Sequence, residues 1–306
     1  MGQGQALSAL REPIGRAHGK AILFGDHFAV HGAPALAVPI RGRGVEVTLD
    51  RARTGYDGPP EAAAWVVAAL AQLGREGDGA DAYALDPARP PHVAITTTLP
   101  VAAGLGSSAA LAVALLRALG ERDVLALRAR AHALERIAHG TPSGIDDATV
   151  AFERPVWLEA GRAPIALDAT VPPLWVGVVP RTQSTKASVA AVAAWRQVHP
   201  EFEALLARAH AAAVEGREAL ARRAWEMVGV QMNEMGALLE AVGAVLPVQV
   251  AMIDVARALG AWGAKVAGAG FGGAVIALAP ADAQLDRVWR ALGATDAFYA
   301  GASEHG

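Results

Sequence analysis

Hydrophobic positions along the chain follow two different spacings, which predict both strands and helices. Short apolar or alternating runs between Gly and Pro turns are typical of strands, and they lie at 20–25, 35–40, 44–50, 92–100, 155–159, 172–180 and 296–301. Longer runs with helical spacing lie at 61–74, 109–116, 123–139, 185–197, 200–214, 217–241, 248–259 and 282–292. In the segment 264–280, a strand, a glycine loop and a second strand follow one another.

The order of these elements predicts the α+β class, because helices and antiparallel strands are partly segregated along the chain. A length of 306 residues suits one large domain or two ordinary ones. The Pro-containing segment LDATVPP at 167–173 separates the two groups of elements. We therefore predict domains at 1–170 and 171–306.

Composition and charge exclude several classes of function. The formal net charge is −3, which does not predict a nucleic-acid-binding face. The chain has no cysteine, so disulfides and thiolate metal sites are excluded. The first twenty residues lack the apolar core of a signal peptide, and the run 109–116 is too short to span a bilayer. We expect a cytoplasmic protein without nucleic-acid or membrane partners.

A glycine-rich loop precedes the apolar run at 109–116. It reads AGLGSSA from Ala103 to Ala109 and contains Gly104, Leu105, Gly106, Ser107 and Ser108. Consecutive backbone N–H groups in such a loop, together with a helix N-terminus, form a cradle for anions. A serine here either caps the helix or reaches a magnesium ion. The loop, called the phosphate loop below (103–109), is also compatible with an ordinary turn.

Two sequence patterns of nucleotide-binding proteins, the P-loop and the dinucleotide-binding glycine pattern, are alternatives for this loop. The chain contains no Gly-x-x-x-x-Gly-Lys-Ser/Thr sequence. The spacing of Gly104, Gly106 and Ala109 fits a relaxed dinucleotide fingerprint, although the segment after its helix is predicted to be helical. A second glycine cluster at 268–273, called the distal glycine loop, fits the strict spacing but precedes a strand. A nicotinamide-dependent oxidoreductase therefore remains an alternative at the phosphate loop.

Three charged residues stand out near these loops. Glu135 lies on a helix that ends near Gly140, Asp146 follows the turn after it, and Lys20 begins an apolar strand. Each one alone is more often a solvated or capping residue. Phosphoryl transfer to an alcohol, however, needs a magnesium ligand, a group that orients the hydroxyl, and positive charge at the transferred phosphoryl group. Glu135, Asp146 and Lys20 can supply these.

Together the clusters resemble the GHMP kinase superfamily. The segments GKAILFGDHFAVHGAPALAVPI, PVAAGLGSSAALAVALL and KVAGAGFGGAVIAL are similar to its three motifs and occur in the same order. The resemblance implies an N-terminal domain like the second domain of ribosomal protein S5 and a ferredoxin-like C-terminal domain. The active site would lie in the cleft between them.

Within the superfamily, the mevalonate kinase family is the most similar, because ERIAHGTPSGIDDA and RTQSTKASVAAV resemble two of its segments. The resemblance implies ATP bound over residues 103–109 and Mg²⁺ held by Ser108 and Glu135. It implies Asp146 as the catalytic base, Lys20 as its cationic partner, and phosphorylation of the mevalonate C5 hydroxyl. On the acceptor side it implies His27, Ser143, Gly144, Thr185 and Gly270. A small-molecule substrate is expected, and a homodimer is compatible with the family.

The chain departs from the family pattern in one place that affects the site. The family usually has Gly-Glu-His where this chain has Gly25-Asp26-His27, so Asp26 is expected to reach its partner differently. Other acceptors stay open: phosphomevalonate, the 3-hydroxyl of mevalonate, homoserine or a sugar. A catalytically silent sensor on the same scaffold is a further alternative.

Overall fold

Two β-sheets packed against helices form the frame of the protein, and all their described strand pairs except one are antiparallel. The computed structural model describes residues 13–75, 83, 85–86, 88–100 and 102–301. The first sheet contains β1 (Ile14–Phe24), β2 (Ala35–Asp50), β3 (Tyr56–Asp57), β4 (His92–Thr97), β5 (Val156–Leu158) and β6 (Ile165–Ala166). The second contains β7 (Leu174–Val179), β8 (Gly263–Val266), β9 (Gly273–Leu278) and β10 (Asp296–Tyr299).

The helices connect these strands. They are α1 (Pro60–Leu73), α2 (Ser107–Leu119), α3 (Val124–His139), α4 (Ile145–Phe152), α5 (Thr185–Val198), α6 (Phe202–Ala221), α7 (Trp225–Ala241), α8 (Pro247–Ala258) and α9 (Leu285–Ala291). Short 3₁₀ turns lie at Asp26–His31 and Ala281–Ala283. None of the helices described for this chain is long and apolar enough to cross a membrane.

The long strand β2 organises the first sheet. It pairs antiparallel with β1 along most of its length, with β4 at Val45–Asp50, and with β5 at Ala35–Ala37. Strand β6 pairs antiparallel with β5, whereas β3 pairs parallel with β4. Helix α2 packs against β1 and β2, and its residues 109–116 are all buried. The apolar run after the phosphate loop therefore anchors the start of α2 to the sheet.

The second sheet has the ferredoxin-like arrangement. Its strand order is β10-β7-β9-β8 with all neighbours antiparallel, and helices separate β7 from β8 and β9 from β10. This is the β-α-β-β-α-β pattern. The α+β prediction is confirmed. The boundary between 170 and 171 falls between the last strand of the first sheet and the first strand of the second, and the domain limits themselves stay a prediction.

The antiparallel pairing contradicts the dinucleotide-binding alternative. Such a fold needs a parallel sheet in which the strand before the glycine loop neighbours the strand after its helix. Here α2 leads into a second helix, α3, and β4 pairs with β2 and β3. The spacing of Gly104, Gly106 and Ala109 therefore occurs here outside a dinucleotide-binding fold.

The structure differs from the predicted elements in several places. The strands predicted at 35–40 and 44–50 form the single strand β2, with a register shift opposite His18 and Gly19. Residues 145–152, to which no element was assigned from the sequence, form helix α4. Helix α6 continues past its predicted end, because Gly216 makes room for the Phe24 ring instead of ending the helix. A Cβ at Gly216 would lie 2.3 Å from Phe24 Cζ.

Candidate active site

The phosphate loop ends in an α2 N-terminus whose first amides have no side-chain cap. Gly106 is the N-cap residue and has φ +73°, and Gly104 has φ +82°. A Cβ at Gly106 would lie 2.9 Å from Lys20 Cγ, so the lysine side chain occupies the space that glycine leaves. The first N–H groups of a helix have no partners within the helix. They form a cradle of the kind that binds phosphate.

The predicted serine cap is wrong. The α2 N-terminus has no side-chain hydrogen bond from Ser107 or Ser108. Ser108 Oγ instead donates to Glu135 Oε2 at 3.2 Å and lies 3.1 Å from His139 Nε2. Gly106 serves as the cap because its left-handed backbone already turns the chain into the helix. Ser108 therefore points towards α3, where the predicted metal ligand lies.

Lys20 connects the phosphate loop to Asp146. Its Nζ lies 3.0 Å from Asp146 Oδ1 and donates to the Gly104 carbonyl at 3.1 Å. The lysine side chain is 4% exposed, whereas that of Asp146 is 35% exposed. Asp146 lies in the first turn of α4, after Gly144, whose φ of +86° starts the helix. The arrangement leaves one carboxylate accessible beside a nearly buried cation.

Glu135 is a buried carboxyl group with spare coordinating capacity. Burial and then the negative charge of Asp146 raise its pKa to about 7, against the opposing hydrogen bond from Ser108. Its Oε1 atom is buried and has no hydrogen-bond partner in the described part of the chain. A cation placed between Ser108 and Glu135 would satisfy this oxygen and stabilise its charge. Serine and carboxylate oxygens are suitable ligands for Mg²⁺, so these residues fit the predicted magnesium site.

The metal would need further ligands from outside the protein. The described residues include no group of three or more His, Cys, Asp or Glu side chains that could hold a metal ion. Mg²⁺ usually binds one or two protein carboxylates and completes its octahedron with substrate phosphates and water. A site with Ser108 and Glu135 beside a phosphate loop matches that pattern.

The raised pKa of Glu135 predicts a pH-dependent stability. Between pH 4.5 and about 7 the folded protein holds a proton on Glu135 that the unfolded chain has released. Stability is therefore lost as pH rises through this window, by on the order of 3 kcal/mol. Glu135→Gln mimics the protonated form and should remove this part of the dependence. Thermal unfolding at pH 5 and pH 8, without nucleotide and with EDTA, compares the two proteins; identical pH dependence would contradict the assignment.

On the predicted acceptor side, His27 and the distal glycine loop are in contact. His27 Nε2 lies 2.8 Å from the Ala269 carbonyl, and burial lowers the pKa of its imidazole. Gly270, in the same loop, has φ +60°. Ser143 is exposed just before α4, and Thr185 is exposed at the start of α5. Their acceptor roles stay predictions.

Sequence reasoning missed Arg181, which lies between the two glycine loops. Its Nη1 donates to Thr185 Oγ1 at 2.6 Å. A Cβ at Gly104 would lie 2.9 Å from its Nη2, and a Cβ at Gly273 would lie 3.0 Å from its Nε. Arg181 forms no salt bridge with any residue in the described part of the chain, and burial lowers the pKa of its guanidinium. The feature of the sequence that could have identified Arg181 is a positively charged residue just after the apolar strand β7 and Pro180.

The partner of Asp26 was also not predicted. Asp26 Oδ2 lies 2.7 Å from Lys265 Nζ, and both side chains are fully buried. The Asp26 carboxylate is therefore bound inside the protein and is closed to solvent. The two residues are 239 positions apart, and nothing local in the sequence relates them.

An apolar cavity of about 230 Å³ adjoins the start of α2. Its apolar lining is contributed by α1, α2, β2, β4 and the segments next to them: Val45, Pro59, Trp65, Ile95, Leu99 and Leu111. Ser107 and Ser108 border it as well. A flat aromatic group attached to a phosphate chain would fit such a cavity beside the phosphate loop.

Comparison with known proteins agrees with this geometry. The family model for the GHMP kinases N terminal domain matches residues 63–153, and the model for the GHMP kinases C terminal matches residues 217–297. The mevalonate kinase of Pyrococcus furiosus is 31% identical over 87% of this chain and 89% of its own length. That of Aeropyrum pernix is 32% identical over 86% of this chain and 87% of its own length.

A solved structure shows the same fold. The L. major mevalonate kinase in complex with R-mevalonate superposes with a TM-score of 0.79, covers 99% of both chains and is 24% identical. The two matched family segments carry the phosphate loop, Glu135 and Asp146 in one and the distal glycine loop in the other. The chain therefore belongs to the GHMP kinase family and, within it, to the mevalonate kinases.

Proposed function

We propose that the protein transfers the γ-phosphoryl group of ATP to the C5 hydroxyl of mevalonate, giving 5-phosphomevalonate and ADP. Membership of a kinase family implies ATP use. The observation that carries the proposal is Lys20, which contacts both the phosphate loop and Asp146. Relatives at about 30% identity are named mevalonate kinases, and the L. major enzyme is described with R-mevalonate bound.

The nucleotide would lie across the start of α2. Its phosphates fit the backbone of residues 103–109, where the uncapped α2 amides and the helix dipole favour negative charge. Its base fits the apolar cavity beside Trp65 and Leu111. This placement directs the γ-phosphate towards Lys20 and Asp146.

Ser108 and Glu135 would hold Mg²⁺ at this position. Held there, Mg²⁺ would supply positive charge against the charge that develops during phosphoryl transfer. Glu135 is suited to this role because its buried Oε1 has no hydrogen-bond partner among the residues that the structure describes. His139, 3.8 Å from Glu135 Oε2, lies at the exposed edge of the same group.

Asp146 would accept the proton of the acceptor hydroxyl or orient that hydroxyl for attack. Its partial exposure allows the substrate to reach it, and Lys20 fixes its Oδ1 at 3.0 Å. The Lys20 ammonium group holds this carboxylate in place by a salt bridge. Because Lys20 also donates to Gly104 in the phosphate loop, the same cation lies near the transferred phosphoryl group.

The acceptor would lie between His27, Thr185 and Gly270, with Ser143 and Gly144 at the edge near Asp146. Arg181 favours an acceptor that carries a carboxylate, because its guanidinium has no acidic partner in the described protein and is held by Thr185. A carboxylate accepts a bidentate pair of hydrogen bonds from arginine. Mevalonate has this group, and a neutral sugar does not.

The predicted magnesium ligands can be tested by titration. We expect Glu135→Gln to raise the Mg²⁺ concentration needed for half-maximal activity by about tenfold or more, because a neutral amide is a weaker ligand than a carboxylate. Glu240→Gln, on the exposed side of α7, is the matched control and should leave the titration unchanged. An unchanged titration for Glu135→Gln would remove this residue from the metal site.

The acceptor is tested by measuring ADP release with Mg²⁺–ATP and each candidate in turn: mevalonate, phosphomevalonate, homoserine and galactose. Release with mevalonate alone supports the proposal. Release only with another acceptor would support the kinase activity but contradict mevalonate as the substrate. ATP binding without release for any acceptor would favour the silent sensor, and absence of ATP binding would contradict a kinase.

The resemblance also leads us to propose a cytoplasmic location and a homodimer. Both rest on the likeness to the mevalonate kinases alone. Fractionation of cells and light scattering of the purified protein test them separately.

A further inference from the structure

A completely buried ion pair joins the two parts of the predicted acceptor site. Asp26 Oδ2 lies 2.7 Å from Lys265 Nζ, and neither side chain is exposed to solvent. Asp26 Oδ1 also accepts a hydrogen bond from the Gly268 amide at 2.7 Å, and Lys265 Nζ donates to the Val266 carbonyl at 2.7 Å. Both carboxylate oxygens and the ammonium group therefore have short, directed contacts.

Stability alone does not account for this pair. Removing two charges from water costs several kcal/mol for each ion, and apolar residues of similar volume often stabilise a protein as well or better. Burial raises the pKa of Asp26 and lowers that of Lys265, with the pairing opposing both shifts. An ion pair fixes the distance and direction between the two chain segments, whereas an apolar pair does not.

The segments that it joins carry the predicted acceptor contacts. Asp26 opens the 3₁₀ turn Asp26–His31, and Lys265 lies in β8, just before the distal glycine loop. The next residue of the turn, His27, contacts the Ala269 carbonyl at 2.8 Å. Asp26 has φ +31° and follows Gly25 with φ +102°. An L-residue rarely adopts this backbone, so the surrounding contacts must hold the turn in place.

We propose that Asp26 and Lys265 are a positioning pair for the acceptor: their ion pair sets the spacing between the His27 turn and the distal glycine loop. This inference rests on the proposed function, in which His27 and Gly270 lie beside the acceptor. The family's usual Gly-Glu-His pattern has a glutamate at this position, whose side chain is longer than that of Asp26 by one C–C bond of about 1.5 Å.

Two variants separate positioning from stability. The double variant Asp26→Asn/Lys265→Met removes both buried charges together and avoids the uncompensated ion that a single substitution leaves. Asp26→Glu keeps both charges and lengthens the arm. For each variant we expect the KM for mevalonate to rise by about 10- to 100-fold, the weakening expected when one or two hydrogen bonds to the acceptor are lost. The KM for ATP should stay within about threefold, since the phosphate loop keeps its contacts.

The readouts distinguish the possible outcomes. Thermal unfolding measures stability, and hydrogen–deuterium exchange of residues 266–273 measures whether the distal glycine loop has loosened. A double variant with unchanged exchange and an unchanged KM for mevalonate would overturn the positioning role, whatever its stability. Asp168→Asn is the control, because Asp168 is 97% exposed in its pair with Arg154.

The acceptor panel keeps this test independent of the proposed function. If wild-type protein uses a different acceptor, the same KM comparison is made with that acceptor; the mevalonate assignment then fails while the positioning role is still decided. If wild-type protein phosphorylates mevalonate and both variants keep its KM, the positioning role fails alone. Absence of transfer to every acceptor would overturn both.

Discussion

Replacing Asp146 with Asn is expected to lower kcat by about 10²–10⁴, the usual contribution of a general base. The amide keeps the shape of the side chain but cannot accept a proton. Lys20 would keep its hydrogen bond to the Gly104 carbonyl, which it makes independently of Asp146. ATP binding should therefore change little, because the phosphate loop and the start of α2 do not depend on the carboxylate.

The measurement combines steady-state kinetics with calorimetric titration of Mg²⁺–ATP. Asp168→Asn serves as a matched control, since it makes the same chemical change at a side chain that is 97% exposed. Near-normal turnover in Asp146→Asn would show that another group accepts the proton. Loss of ATP affinity together with turnover would instead indicate that Asp146 supports the nucleotide site.

Replacing Lys20 with Met is expected to lower kcat by about 10²–10³, the size of effect seen when one preorganised donor to developing charge is removed. The methionine fills similar space but cannot hold Asp146 or contact a phosphoryl oxygen. Stability should change by only a few degrees in the unfolding midpoint. Asp146 remains 35% exposed, so water can solvate the carboxylate that loses its partner.

The contrast between activity and stability makes this prediction specific. Lys20 is almost fully buried, and a purely structural lysine would lower the unfolding midpoint and leave the folded fraction active. Arg162→Met, at a cation that is 72% exposed, controls for the loss of a positive charge. Lys20→Met with a normal kcat per folded molecule would contradict the assigned role.

The sequence predicted the components of the site better than their connections. The phosphate loop, Glu135 and Asp146 lie within about forty residues of each other. Their order and spacing along the chain were therefore enough to predict that they belong to one site. Lys20 was found because lysine at the start of an apolar strand is unusual in a chain so poor in lysine. Their convergence at one place follows from α2, which packs against β1 and brings Lys20 beside Gly106.

Long-range pairs could not be predicted in the same way. Asp26 and Lys265 are joined only when the two sheets pack, and the sequence contains no periodicity that relates them. The position of Arg181 could not be predicted either, because it depends on two distant glycines. Gly104 and Gly273 have no side chains, which leaves space for its guanidinium. The Ser107 or Ser108 cap was wrong because a left-handed glycine can start a helix without a side-chain cap.

Secondary-structure errors have similarly local causes. Glycines suggest breaks, yet Gly44 lies inside β2 in pairing with β1, and Gly216 lies inside α6 against the Phe24 ring. Helix α4 has only eight residues and follows a Pro-Ser-Gly turn, so its periodicity was too short to detect. In each case the tertiary contact decides what the glycine or the short segment does.

The most direct test of the central claim is the position of the phosphate in the product. Purified protein would be incubated with Mg²⁺–ATP and mevalonate, and phosphorus–proton correlation NMR would identify the phosphorylated oxygen. We predict a phosphorus coupled to the C5 methylene protons, with product formation lowered by about 10²–10⁴ in Asp146→Asn. Phosphate on the 3-oxygen, or undiminished product in that variant, would contradict it.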